Sequence, residues 1–227
     1  MSSSIAARIM GVRGRIDQAC HDAGRDPATV RLLAASKTQT PDTIREVLDT
    51  GQILLGESRA QSLRDKAPTL ATHSPAPEWH FIGRLQKNKV KYVVPWATLI
   101  HTVDSLPLAE TIAGRTSHEI GVLVQVNTGD DPAKGGVSTA DALALCRQVH
   151  AMPGLDLRGL MTMPPLTDDP AESAPCFQAL ADLAAQARAE GLPVHELSMG
   201  MTADFPVAIA AGATIIRIGT AIFGARG

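Results

Sequence analysis

The chain has 227 residues, 44% of them hydrophobic and 19% charged, and its formal net charge is −2. The length suits one large domain with an ample core. The balanced charge and the 3% aromatic content argue against a nucleic-acid partner, and no apolar run approaches the roughly 18 residues of a membrane span.

Short β-branched runs alternate with longer amphipathic segments. Ser2 to Ala23 reads as a helix with Ile5, Ile9, Val12 and Ile16 on one stripe. Val30 to Ala35 reads as a strand ending at Ser36-Lys37, and Pro41 to Thr50 as a helix closed by Gly51. Strands follow at Ile53–Leu55, Glu78–Ile82, Leu99–Val103, Ile120–Val126, Leu155–Met161, Val194–Leu197 and Thr214–Ile218. Between them lie helices ending near Lys66, at Gln86–Val94, Pro107–Ala113, Thr139–His150, Ala171–Glu190 and Asp204–Ala211.

Strands joined by helical crossovers imply a parallel sheet. Eight such units in one chain fit an α/β fold of the single-domain (β/α)8 TIM barrel type, spanning residues 1–227. An open doubly wound sheet fits less well, because Ser36-Lys37-Thr38 stands where its glycine-rich fingerprint belongs. The three cysteines, Cys20, Cys146 and Cys176, form no CxxC pair. They are expected to be small apolar fillers in a reducing cytoplasm.

In such a barrel the site lies at the C-terminal ends of the strands. Lys37 ends the first strand after six mostly apolar residues. If partly buried, its amine would be neutral often enough to attack an aldehyde and form a Schiff base; a plain strand-end lysine in solvent is the alternative. The loops after strands seven and eight, Ser198-Met199-Gly200 and Gly219-Thr220-Ala221, offer amides, hydroxyls and glycines suited to a phosphate. They could also be ordinary tight turns. An imine-forming amine beside a phosphate cradle matches pyridoxal 5'-phosphate (PLP). Arg217 would then meet the pyridine nitrogen, or else form a structural ion pair.

The residues also carry a resemblance. Ala34-Ala35-Ser36-Lys37-Thr38, Leu55-Gly56-Glu57-Ser58 and Trp79 through Lys89 resemble the pyridoxal phosphate homeostasis proteins. So do His101-Thr102-Val103-Asp104-Ser105, Gly159 through Met163, Leu197 through Phe205 and Val207 through Gly224. The resemblance implies a barrel like the alanine racemase N-terminal domain, with PLP on Lys37 as an internal aldimine. It implies phosphate contacts from Ser198, Gly219 and Thr220, with Met199, Gly200, Ser58 and Met163 beside the cofactor and Arg217 at the ring nitrogen. It further implies a non-catalytic carrier that buffers the cofactor or delivers it to PLP-dependent apoenzymes. A cytoplasmic monomer is expected.

Two positions depart from the family pattern: Ser58 replaces a frequent asparagine, and Thr38-Gln39-Thr40 replaces a second lysine followed by proline. Lys134 matches a family lysine and could be a secondary docking amine. The rival reading is an amino-acid racemase, which needs a second base, and the only tyrosine, Tyr92, falls on the helix after strand three. A phosphorylated-metabolite barrel using Lys37, and an anion surface at Arg84, Lys87, Lys89 and Lys91, stay open. His80, His101 and His195 read as hydrogen-bonded core groups, and Glu57 as a neighbour of Lys37 or a helix cap.

Overall fold

Eight parallel strands close in chain order into a barrel, β1 returning to β8. They are β1 (Arg31–Ala35), β2 (Leu54–Glu57), β3 (Glu78–Phe81), β4 (Ala97–Val103), β5 (Ile120–Gln125), β6 (Leu155–Met161), β7 (Glu196–Ser198) and β8 (Ile215–Ile218). The computed structural model describes residues 4–165, 167 and 169–224. Around the barrel lie α1 (Ile5–Asp22), α2 (Pro41–Leu48), α3 (Ala60–Leu70), α4 (Val90–Val93), α5 (Leu106–Ala113), α6 (Ala142–His150), α7 (Ala174–Ala189), α8 (Phe205–Ala210) and the short α9 (Thr220–Phe223).

Several boundaries differ from the sequence reading, each for a local reason. Ser4 caps α1 rather than joining it, its hydroxyl accepting from Ala7 N–H at 3.2 Å. Gly56 and Glu57 belong to β2 and pair with His80 and Phe81. Glycine suits this strand position because a Cβ there would lie 2.3 Å from Leu33 Cδ2 inside the barrel. The stretch read as a Gln86–Val94 helix breaks into a 3-10 turn, Lys87–Lys89, and one turn of α4. Lysines at a helix start oppose its dipole. Strand seven runs to Ser198, which pairs with Met161 and Ile215, so Ser198 is not in a loop. The helix expected from Thr139 begins at Ala142, after a Ser138–Asp141 turn held by their side chains at 2.7 Å. Helix α9 was not anticipated.

The core has two parts. Outside the barrel, the helices bury their apolar stripes, including Ile5, Ile9, Val12 and Ile16 of α1. Inside it, Leu33, Ala35, Leu54, Leu99, Leu123, Met161 and Ile215 form a separate apolar cluster. Gly159 of β6 presses on β7, where a Cβ would lie 1.8 Å from the Glu196 carbonyl oxygen. All three cysteines are free and buried. Burial pushes the Cys146 thiol up to about 12, which leaves it inert as a nucleophile.

Candidate functional site

Lys37 follows β1 in a turn closed by Gln39 N–H to the Ser36 carbonyl at 3.1 Å. The next residue, Thr38, has φ 71°, a conformation a β-branched residue seldom adopts. This turn lifts Lys37 to the exposed rim, so the amine is not partly buried as the sequence suggested. It lines a small pocket of about 40 Å³ with Thr38, Gly219, Thr220 and Phe223. The expected neighbours Lys37, Gly219 and Thr220 are therefore brought together. The first N–H groups of α9 have no intrahelical acceptor. The Thr220 hydroxyl donates to Thr202 Oγ1 at 3.2 Å, which joins the loops after β7 and β8. Thr202 escaped the sequence reading as a site residue, and its only signal was a hydroxyl two residues past the Ser198-Met199-Gly200 turn.

The other expected residues are distributed differently. Ser198 is buried, and its hydroxyl is taken up by Arg217 Nη1 at 2.7 Å and His101 Nδ1 at 2.8 Å. It faces the barrel interior, beside Arg217 and His101. Met199 is fully buried in the outer core. Gly200 is buried at φ 91°, and a Cβ there would meet Ala208 Cβ at 2.6 Å. Its glycine is required by the turn itself. Met163 is half-buried against the interior apolar cluster. Ser58 lines a different pocket, of about 490 Å³, with Arg59, Arg84 and Lys89. Lys134 is half-buried in the loop after β5, its N–H bonded to the Asp131 carbonyl at 3.0 Å.

Arg217 is buried, and two hydrogen bonds engage it: Nη1 to Ser198 Oγ and Nη2 to the Thr162 carbonyl at 2.9 Å. A guanidinium carries five N–H donors, so donors remain for a ring nitrogen. No carboxylate forms a salt bridge with it among the described residues. Burial pulls its pKa down to about 10. A buried cation with no carboxylate in direct contact is costly; Asp204 offsets part of that cost from a distance, and an acceptor-bearing ligand would offset more. The amine, the open amides and this donor fit pyridoxal phosphate.

Of the two roles open to Glu57, the structure shows the cap: it accepts from the N–H groups of Ser58 at 2.7 Å and Arg59 at 3.1 Å at the start of α3. Its other oxygen meets Lys66 Nζ at 2.7 Å, and the same amine donates to the Ser36 carbonyl at 3.2 Å. The pair is buried, with side-chain exposures of 0% for Glu57 and 13% for Lys66. Glu57→Ala leaves Lys66 without its carboxylate and is expected to cost about 3–5 kcal/mol in urea unfolding. Glu57→Gln keeps the cap and should cost less.

His80 and His101 are fully buried and bonded to each other, Nδ1 to Nε2, at 2.9 Å, as core groups should be; His195 is instead exposed. Burial, then the neighbouring His80, holds His101 well below the usual histidine range. Folded His101 thus stays neutral where the unfolded residue binds a proton. The resulting stability is present above about pH 6.5 and falls as pH drops below it, by about 1 kcal/mol per unit. Melting temperatures at pH 7.5 and 5.5 check this, and the difference should shrink in His101→Gln.

Known proteins of similar sequence and shape identify the family. The family model described as "Alanine racemase, N-terminal domain" matches residues 31–227. A pyridoxal phosphate homeostasis protein of Aquifex aeolicus is 42% identical over 96% of this chain and 97% of its own. The chain belongs to the pyridoxal phosphate homeostasis protein family. A solved structure of similar shape is PipY of Synechococcus elongatus with PLP bound. It has a TM-score of 0.85 and 35% identity over 97% of this chain and 100% of its own. Alanine racemase of Corynebacterium glutamicum shares the fold, with a TM-score of 0.71 and 18% identity, and this chain covers 61% of it. The homeostasis protein barrel is thus the alanine racemase type of (β/α)8 barrel.

Proposed function

We propose that this chain binds pyridoxal 5'-phosphate through Lys37 and serves PLP homeostasis, holding the cofactor and releasing it to PLP-dependent apoenzymes. The observation that carries this reading is the pocket shared by Lys37 and the Gly219–Thr220 turn. The Lys37 amine condenses with the aldehyde, forming a C=N bond and releasing one water. The Gly219 and Thr220 amides and the Thr220 hydroxyl receive the phosphate, and Arg217 donates to the ring nitrogen. When bound, the cofactor supplies an electron sink, and an Arg217 that keeps its proton leaves that sink weak.

Carriage is favoured over racemisation by the position of Tyr92. It lies on α4 under the cations of Arg64, Lys89 and Lys91, at 4.9, 5.7 and 5.0 Å from its ring centre. That phenol is committed away from the Lys37 pocket, and a two-base racemase needs a second base there. The reading is of one cofactor-binding domain over residues 1–227, monomeric and cytoplasmic. Its buried free thiols suit a reducing compartment. No helix among the described residues is long and apolar enough to cross a membrane.

The test is titration of the purified protein with PLP, followed by borohydride reduction and peptide mapping. A single reduced adduct on the Lys37 peptide is expected, with recovery of activity when the unreduced complex meets a PLP-free apoenzyme. No adduct would overturn the reading in favour of a phosphorylated-metabolite barrel.

A further inference from the structure

A line of buried polar groups crosses the barrel interior from its N-terminal rim to Arg217. Glu78 opens β3 on that rim and lines a pocket of about 420 Å³ with Arg13, Arg31 and Gln52. Its Oε1 meets His80 Nε2 at 3.0 Å, His80 Nδ1 meets His101 Nε2 at 2.9 Å, and His101 Nδ1 meets Ser198 Oγ at 2.8 Å. Arg217 Nη1 closes the line on Ser198 Oγ at 2.7 Å. The charged groups facing its outer end from neighbouring strands are Arg31 of β1, Asp156 and Arg158 of β6, and Glu196 of β7.

The carboxylate end of this line dictates its direction. The hydrogen bond from His80 holds the Glu78 carboxyl below the usual range, so it is an ionised acceptor. His80, kept neutral by burial, must then donate from Nε2 and accept at Nδ1. His101, kept neutral likewise, must donate from Nε2 and accept at Nδ1 from the Ser198 hydroxyl. Arg217 can only donate, and it fills one of the two acceptor positions of the Ser198 oxygen, which leaves the hydroxyl hydrogen for His101. Both histidines are thus neutral Nε2–H tautomers. A reversed line would set a bare ring nitrogen against a carboxylate.

We infer that Glu78, His80 and His101 are positioning residues, forming a one-way hydrogen-bond line that fixes the Ser198 hydroxyl and through it the donors Arg217 presents to the cofactor. This rests on the PLP reading above for its last link only. A rim residue remote from the cofactor thereby controls the guanidinium at the ring nitrogen. Linked hydrogen bonds polarise one another in a low-dielectric interior.

Two measurements separate the line from the cofactor reading. In cofactor-free protein at neutral pH, long-range proton–nitrogen NMR should find His80 and His101 neutral and protonated at Nε2. A cation or an Nδ1–H tautomer at either residue overturns the proposal whatever binds at Lys37. Glu78→Gln keeps an acceptor oxygen and should preserve both tautomers, whereas Glu78→Leu should change them. Glu78→Ala replaces the leucine variant if that one does not fold. In PLP-loaded protein the apolar variant should shift the cofactor absorbance band and weaken PLP binding roughly 5-fold, with Glu78→Gln restoring both. An apolar variant with unchanged band and affinity overturns the transmission. Failure of the wild type to take PLP overturns the cofactor reading and leaves the tautomer result standing.

Discussion

Lys37→Ala is expected to fold as the wild type does and to lose every borohydride-stable adduct with PLP. The side chain is exposed on a rim turn. Among the described residues its amine makes no hydrogen bond or ion pair, so truncation removes little packing. Surface substitutions of this kind fall within about 0.5 kcal/mol. The chemistry, by contrast, has no substitute at that position, because Thr38 and Gln39 carry no amine. Absorbance, reduction and peptide mapping read the loss directly, and an unchanged melting curve shows that it is chemical. An adduct retained in the variant at wild-type yield would assign the cofactor to another amine, for which Lys134 is the first residue to examine.

Gly159→Ala is expected to damage the barrel itself. The added methyl would sit 1.8 Å from the Glu196 carbonyl oxygen, and the obstacle is backbone rather than a side chain that can swing away. Gly159 is in register with Glu196, and the next pairs are Leu160 with Leu197 and Met161 with Ser198. Relief therefore requires β6 and β7 to separate along the pairs that seat Ser198. A destabilisation of about 3 kcal/mol, at the upper end for overpacking, is the expected outcome. For a chain of this length that lowers the melting temperature by roughly 10 °C. A melting curve within 2 °C of wild type, taken as about the error of such a comparison, would show that the seam yields more easily than its geometry indicates.

The alternation of strand and helix was legible because each strand is apolar enough, and each crossover periodic enough, to be told apart. Closure into a barrel followed from the number of units. Lys37 and Gly219–Thr220 were legible for a related reason: the end of a strand fixes where a residue lies along the barrel. Direction across the barrel was not legible. Whether Ser198 faces inward depends on the pleat phase of β7, which its pairing with Met161 and Ile215 sets. His80 and His101 are 21 residues apart, and their contact depends on a register shift in β3–β4 pairing between Trp79 and His80. Such a shift is a property of the paired strands, not of either sequence. The exposure of Lys37 was hidden likewise, since nothing in Ser36-Lys37-Thr38 announces a positive φ at Thr38.

The ladder between β7 and β8 has one register pair, Ser198 with Ile215, against four between β1 and β8. Backbone bonds carry the seam past the end of β7, Met199 N–H to the Ile215 carbonyl at 3.1 Å and Arg217 N–H to the Gly200 carbonyl at 3.0 Å. The Thr220–Thr202 hydroxyl contact lies across the same seam, just above it. Any group lodged between those two loops therefore acts as a clasp on this seam, so occupancy of the mouth and integrity of the wall become one equilibrium.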